Sequence, residues 1–566
     1  MTGRKIHANL VPKIGALSAL TLLPTIGCTR EVSLIDPDER RVIEEVPITS
    51  CSRGGLCQEM PEVVEKLDLL FVIDNSEGMA SAQRALTAQL PTFLEALASG
   101  RRLTDENSRF PAARDIQVGV VTSDMGMLSV EQLDGCAADG GDDGRLQTEP
   151  RGPACQSGYP PYSRYASESA TADIASLAAD LACIIPVGTD GCDYVQPLQA
   201  ALKALTPYVY RLHEDEPNET WFMFPTIDGG GEHGRGDQLG GARGLVREDA
   251  MLGIIVLTND DDTSVKDTEA FKPVTQLPRD SEYREQDAKL RAFLNPESLH
   301  PINLYLGGFK LFNLRHRERV VFAAIAGVPA DLVAPQTLTG LDYTSERAVG
   351  DYYDAVLSDE RMTQRVDPAT DPGSGEGKLM PSCMQPAPDG SASQPAYPPR
   401  RLVELARDFG PNGVVQSICQ DDLAPAMGPI VDRLASQLGI ACLEQPLQRR
   451  ADGSVDCEVI WELSEHNYFP KVPSTPPYEC SDREFLTPAA KPRNDRTGNN
   501  CSVRQLVATD ADHLPSGEGF YYDDFTPSPE NSCRDGRMTR IRFTPGVIPN
   551  GVVRVVLDCS PDAARK

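Results

Sequence analysis

The stretch Leu69-Leu70-Phe71-Val72-Ile73-Asp74-Asn75-Ser76-Glu77-Gly78-Met79 decides how this chain is read. Its first five residues are apolar without alternation, the pattern of a strand buried on both faces of a helix-covered parallel sheet. The strand ends at an acidic residue. The turn that follows carries a hydroxyl and a glycine, and then Leu86, Leu90, Phe93 and Leu97 recur at helical spacing, with Pro91 expected to kink the helix.

Working outward, similar short runs occur at 116–122 (IQVGVVT), 251–258 (MLGIIVLT), 302–306 (INLYL) and 414–418 (VVQSI). After the last of them Leu423, Met427, Ile430, Leu434 and Leu438 repeat at helical spacing. Strand followed by helix, repeated, predicts an α/β fold with a doubly wound, mostly parallel sheet over 61–443. That span is long for one such domain, and the excess falls into three insertions. The first, 124–192, holds Cys136, Cys155, Cys183, Cys192 and a glycine- and aspartate-rich stretch at 139–144; the second is 213–243; the third, 359–400, holds Cys383. Within them the expected disulfides are Cys136–Cys155, Cys183–Cys192 and Cys383–Cys419, each closing a loop. From 444 to 566 the pattern changes to short β-prone runs punctuated by Cys457, Cys480, Cys501, Cys533 and Cys559, which reads as a smaller, disulfide-rich, β-rich C-terminal domain.

Composition narrows the function classes. The 566 residues suffice for two to four folded units of about 150 residues. A formal net charge of −29 argues against a sequence-independent grip on nucleic acid or anionic lipid. At the N-terminus Arg4, Lys5 and Lys13 precede an apolar run, Ile14 to Ile26, too short to span a bilayer permanently. It reads as an export signal. The run closes with Leu22-Leu23-Pro24-Thr25-Ile26-Gly27-Cys28, which resembles the lipobox of bacterial lipoproteins and implies acylation of Cys28; the alternative is ordinary cleavage with Cys28 in a disulfide. Residues 29–60, with Cys51 and Cys57, read as a tether. No other run is long and apolar enough to cross a membrane, so any membrane hold is expected to be the lipid. Without Cys28 the cysteines form an even set, suited to disulfides in an oxidising compartment.

The turn motif Asp74-x-Ser76-x-Gly78 resembles the DxSxS of von Willebrand factor A-type domains. The likeness extends over 65–440, through VGVVTSDMG at 118–126, PLQAAL at 197–202, IIVLTNDDDTS at 254–264 and SICQDDLAPAM at 417–427. These segments are similar, in that order, to a group of exported bacterial lipoproteins. The resemblance implies a metal-ion-dependent adhesion site for Mg2+ or Ca2+ at the carboxyl end of the first strand. Asp74 and Ser76 would be direct or water-mediated ligands, and Asp260, one residue after Asn259 in strict register, a further acidic contributor. Thr189 is the nearest threonine to the family's position, and Gly78 replaces the second serine, leaving its place to water. Thr29 after Cys28 implies the outer membrane, on its periplasmic or cell-surface side.

The chemistry can be stated without the resemblance. A hard divalent cation takes oxygen ligands, and a strand-to-helix turn gathers a carboxylate and hydroxyls above a sheet. With mostly neutral ligands the ion stays under-compensated, so an acidic side chain of a partner protein or surface polymer can complete its shell. The expected function is therefore cation-dependent adhesion or protein–protein interaction by a lipid-anchored envelope protein, not catalysis. The alternative is a structural envelope protein with the same fold and no metal, in which Asp74 and Ser76 cap the first helix. A secreted hydrolase is a third reading, although no HExxH, GxSxG, phosphate-binding lysine loop or dinucleotide fingerprint is present. Asp139, Asp142 and Asp143 read as a solvated turn, and Arg235-Gly236-Asp237 carries no weight.

Overall fold

The computed structural model describes residues 53–563, apart from 206–244, 464–479, 490–499, 526–539 and shorter internal stretches. The signal with Cys28, tether residues 29–52, Asp139 and the second insertion lie outside the described residues.

The chain order is β1 (Cys57–Glu59), β2 (Lys66–Ile73), α1 (Ala80–Ser99), β3 (Asp115–Thr122), β4 (Tyr162–Ala166), α2 (Ile174–Ile184), α3 (Pro197–Leu205) and β5 (Met251–Leu257). There follow α4 (Arg291–Leu294), α5 (Ile302–Leu311), β6 (Val320–Ala326), α6 (Pro335–Leu338), α7 (Glu346–Ser358), β7 (Cys383–Gln385), β8 (Gln394–Ala396), α8 (Arg400–Phe409), β9 (Gly413–Ser417) and α9 (Ala424–Gln437). The rest is strand: β10 (Cys457–Leu463), β11 (Leu486–Pro488), β12 (Asn500–Val503), β13 (Phe520–Asp523), β14 (Arg540–Phe543) and β15 (Val552–Cys559).

Six strands form the main sheet in the order β4-β3-β2-β5-β6-β9, all parallel except the edge strand β4. The unbroken apolar runs are explained by cover on both faces. Leu67, Leu69, Phe71 and Ile73 of β2 pack with α1, α2 and α9, whereas Leu70 and Val72 pack with α3, α5, α7 and α8. Every strand residue from Leu67 to Ile73 is thus buried, and each fully buried Leu, Ile or Phe contributes on the order of 1.5–3 kcal/mol. Strands β2 and β3 run to one side of the sheet, and β5, β6 and β9 to the other. The helix after β2 covers one face and α5, which follows β5, the other. The carboxyl ends of β2 and β5 therefore flank the point where winding reverses, the place where open α/β sheets have a crevice.

Several expectations are corrected. INLYL begins helix α5: Tyr305, Gly308 and Phe309 are the buried positions, a spacing of three and four that fits a helix and not a strand. The fourth parallel strand is instead Val320–Ala326, which is fully buried. The first insertion pairs Cys136 with Cys192 and Cys155 with Cys183, not Cys136 with Cys155 and Cys183 with Cys192. Because Cys183 lies on α2 and Cys192 past its end, the helix carries the two cysteines to different neighbours. Cys383–Cys419 is formed as expected. Pro91 lies inside α1, which continues to Ser99.

A second sheet has the order β1-β15-β10-β12-β11 and its own core around Trp461, Val459, Leu557 and Phe485, with disulfides Cys457–Cys559 and Cys480–Cys501. Residues 57–59, read as the end of a tether, are the edge strand of this sheet, antiparallel to β15. No described helix is long and apolar enough to cross a membrane.

Candidate functional site

Three neighbouring strands end side by side, and the residues just past them form a crest. Backbone pairing continues one step beyond the strands: Asp74 N–H donates to Leu257 O at 2.9 Å and Ser123 N–H to Ile73 O at 3.1 Å. Asp74, Ser123 and Thr258 are thereby placed in a row at the ends of β2, β3 and β5. All three are fully buried.

Asp74 is the centre of the row. Its Oδ1 accepts from Ser76 N–H at 2.8 Å and from the Ser123 hydroxyl at 3.4 Å, and its Oδ2 accepts from the Thr258 hydroxyl at 2.7 Å. Burial pushes the Asp74 carboxyl above the usual carboxylate range, although hydrogen bonds from Ser76, Thr258 and Ser123 pull it down. Asp260 stands beside it, its backbone N–H donating to the Thr258 hydroxyl at 3.0 Å. Burial, with the neighbouring Asp74 charge adding to it, pushes the Asp260 carboxyl up to about 7, against the N–H of Asp261. Neither Asp74 nor Ser76 caps α1, whose N-cap is Met79 and makes no side-chain cap bond.

The remaining acids of the run have structural partners. Asp261 accepts from the Arg401 backbone N–H at 3.1 Å and from Gln364 Nε2 at 2.9 Å. Asp262 accepts from Leu198 N–H at the start of α3 at 3.1 Å, from the Ser264 hydroxyl at 2.6 Å and from Arg401 Nη2 at 3.0 Å. These two carboxylates tie the loop to the first turns of α3 and α8, leaving Asp260 to the crest.

The structure brings Asp74, Ser76 and Asp260 together. It also brings the loop of Thr189 alongside, since Gln83 Nε2 donates both to Asp74 O at 2.9 Å and to Gly188 O at 2.7 Å, and Gly191 N–H donates to Asn75 O at 2.8 Å. No hydrogen bond of the Thr189 hydroxyl to Asp74 occurs among the described residues. Gly78 has φ of 94°, a left-handed conformation that favours glycine. Sequence reasoning missed Ser123 and Thr258, which only the strand order reveals, and it misjudged Asp142. That residue is no solvated turn: its Oδ2 accepts from the Thr122 hydroxyl at 2.7 Å and from Asn75 Nδ2 at 3.3 Å. Asp143 is buried and ion-paired with Lys203.

These residues fit a hard divalent cation. The donors are all oxygens, two carboxylates lie together with raised proton affinity, and Asn75 Oδ1 is buried with no hydrogen-bond partner. Among the described residues no cluster of three or more His, Cys, Asp or Glu side chains could hold a metal. A cation at the crest would therefore depend on hydroxyl and amide oxygens beyond Asp74 and Asp260.

No family model matches this chain, and no curated protein does either. Among solved structures it is similar to the pilus adhesin SpaC from Lactobacillus rhamnosus GG in its open conformation, at 10% identity and a TM-score of 0.24 over 89% of this chain and 44% of that one. It is also similar to the human COPII-coat protein Sec24c, at 9% identity and a TM-score of 0.22 over 72% of this chain and 34% of that one. The chain spans less than half the length of either structure, and likeness at this level carries no functional argument.

Proposed function

We propose that this is a binding protein of the cell envelope, with a von Willebrand factor A-like sheet whose crest holds Mg2+ or Ca2+ through Asp74, Ser76 and Asp260. One observation carries the reading: the turn after β2 and the acidic loop after β5 meet, with the Thr258 hydroxyl on Asp74 Oδ2 at 2.7 Å and Asp260 beside them. When bound, the cation would supply an under-compensated positive charge for an acidic side chain of a partner protein or surface polymer. The chain's own residues prepare that place. Ser123 and Thr258 orient the Asp74 carboxylate, and Asp261 and Asp262 hold the loop that presents Asp260. No catalytic step is proposed.

The disulfides fit an exported protein. Lipid anchoring to the outer membrane through Cys28 belongs to the same proposal, and metabolic labelling with a fatty acid tests it: label lost in Cys28→Ser supports the anchor, and no label on the wild type removes it. Calorimetric titration of the full chain with Mg2+, Ca2+ and Mn2+ tests the crest. Binding that disappears in Asp74→Ala is expected. Absence of binding by every ion would instead favour a structural envelope protein, a reading supported by the helix-tying roles of Asp261 and Asp262.

A further inference from the structure

The third insertion returns to the crest as a hairpin. Strands β7 and β8 are antiparallel, with Gln385 opposite Gln394. Directly opposed residues share a face of the hairpin, so the two amides project together. The hairpin is fixed from several sides. Cys383 is bonded to Cys419, Tyr397 N–H donates to Asn259 O at 2.8 Å, and Asn259 Nδ2 donates to Pro395 O at 3.3 Å. Gln385 Nε2 donates to the Ser81 hydroxyl at 2.6 Å, in the first turn of α1. The hairpin thus bridges the turn after β2 and the acidic loop after β5.

One amide oxygen of this rung, that of Gln394, faces the motif turn. A Cβ added at Gly78 would meet Gln394 Oε1 at 3.2 Å and its Cδ and Cγ at 3.5 Å, so the glutamine fills the space that a side chain at position 78 would occupy. Gln385 is only 3% exposed, yet its Oε1 has no hydrogen-bond partner. A buried, unpartnered carbonyl oxygen costs about 1–3 kcal/mol, so the rung next to Ser81 carries an oxygen lone pair that the protein itself leaves unused. Gln394 Nε2 is engaged with Ala392 O at 3.2 Å, which turns the amide so that its oxygen is the free end toward Gly78.

We infer that Gln394 is a ligand of the divalent cation at the crest, its amide oxygen taking the place left empty by Gly78. This rests on the cation site proposed above. An amide carbonyl is a normal ligand for a hard cation. The glycine at position 78 fits the arrangement: with no Cβ, the turn leaves room for a side chain from a distant insertion.

Binding of Mn2+ alone to the full chain, followed by the electron paramagnetic resonance signal of the free ion, tests the inference. Gln394→Ala is expected to weaken binding by about 10-fold or more, the usual scale for loss of a supporting contact at a metal site. Gln394→Glu is expected to tighten it, because a charged oxygen replaces a neutral one. Gln394 is half-buried and its Nε2 donates within its own hairpin, to Ala392 O, so thermal melts in EDTA should leave both variants at the wild-type midpoint. Wild-type binding that is abolished in Asp74→Asn but unchanged in Gln394→Ala would overturn the inference and leave the proposed function standing. A glutamate variant that binds no tighter than wild type would also count against it. No Mn2+ binding by the wild type would overturn both.

Discussion

At the scale of single residues, Thr258 is the hinge of the site, since its hydroxyl donates to Asp74 Oδ2 and accepts from Asp260 N–H. Thr258→Val keeps the shape and removes both bonds, leaving buried polar groups short of partners. Urea unfolding should show a loss of about 1–3 kcal/mol. The crest also fixes a pH dependence. The Asp260 carboxyl titrates at about 7 in the folded chain, above its ordinary 3.8, because of burial and the adjacent Asp74 charge. A raised carboxyl holds its proton in the native state while the unfolded chain has lost it. Its contribution to stability is therefore fully present below pH 4 and is lost as pH rises toward 7. Burial likewise pushes Asp261 up to about 7, against the pull of Arg401, and adds to the same trend. In EDTA, the urea midpoint should fall between pH 5 and 8, and the fall should be shallower in Asp260→Asn. Saturating Mn2+ should reverse it, because a cation binds the deprotonated carboxylates. A variant with the wild-type slope would show that Asp260 does not titrate in this range.

At the scale of elements, the strands buried on both faces were legible because unbroken β-branched runs have few other homes, and the motif turn was legible because Asp74, Ser76 and Gly78 are adjacent in sequence. What escaped was whatever depends on neighbours far along the chain. INLYL reads alike as strand or helix, and the buried spacing of Tyr305 and Phe309 is set by packing against α3 and α8. Asp142 looked solvated because nothing local reveals that its loop folds back to Thr122. The hairpin of the third insertion is the clearest case: its sequence is rich in turn residues, and its position is set by Cys383–Cys419 and by bonds to Asn259 and Ser81. Those attachments imply a graded loss. A Cys383→Ala/Cys419→Ala double variant should exchange amide protons faster in β7 and β8, while β2 and β5 stay protected, because the disulfide ties the hairpin to the turn after β9 and reaches neither central strand. Faster exchange in β2 would mean that the hairpin supports the main sheet and not just the crest.

At the scale of the whole molecule, two separate cores make a statement about cooperativity. The main sheet is packed by α1, α2 and α9 on one face and by α3, α5, α7 and α8 on the other. The terminal sheet has its own cluster around Trp461, which Leu56 joins from the N-terminal side. Strand β1 closes that second sheet against β15, and the buried Asp558 accepts from Arg53 N–H at 3.2 Å, so segments 505 residues apart stabilise each other. Cores that share few side chains need not melt together. Scanning calorimetry should resolve two transitions. Asp558→Ala strips Arg53 N–H of its acceptor and should lower the terminal-sheet transition alone, with Mn2+ affinity at the crest unchanged. Conversely, Mn2+ at 100 times its dissociation constant stabilises whatever unit holds it by about 2.7 kcal/mol. It should raise only the main-sheet transition, and that rise should vanish in Asp74→Asn. A single transition moved by both changes would show that the two sheets unfold as one, and the crest would then be coupled to β1 across the whole chain.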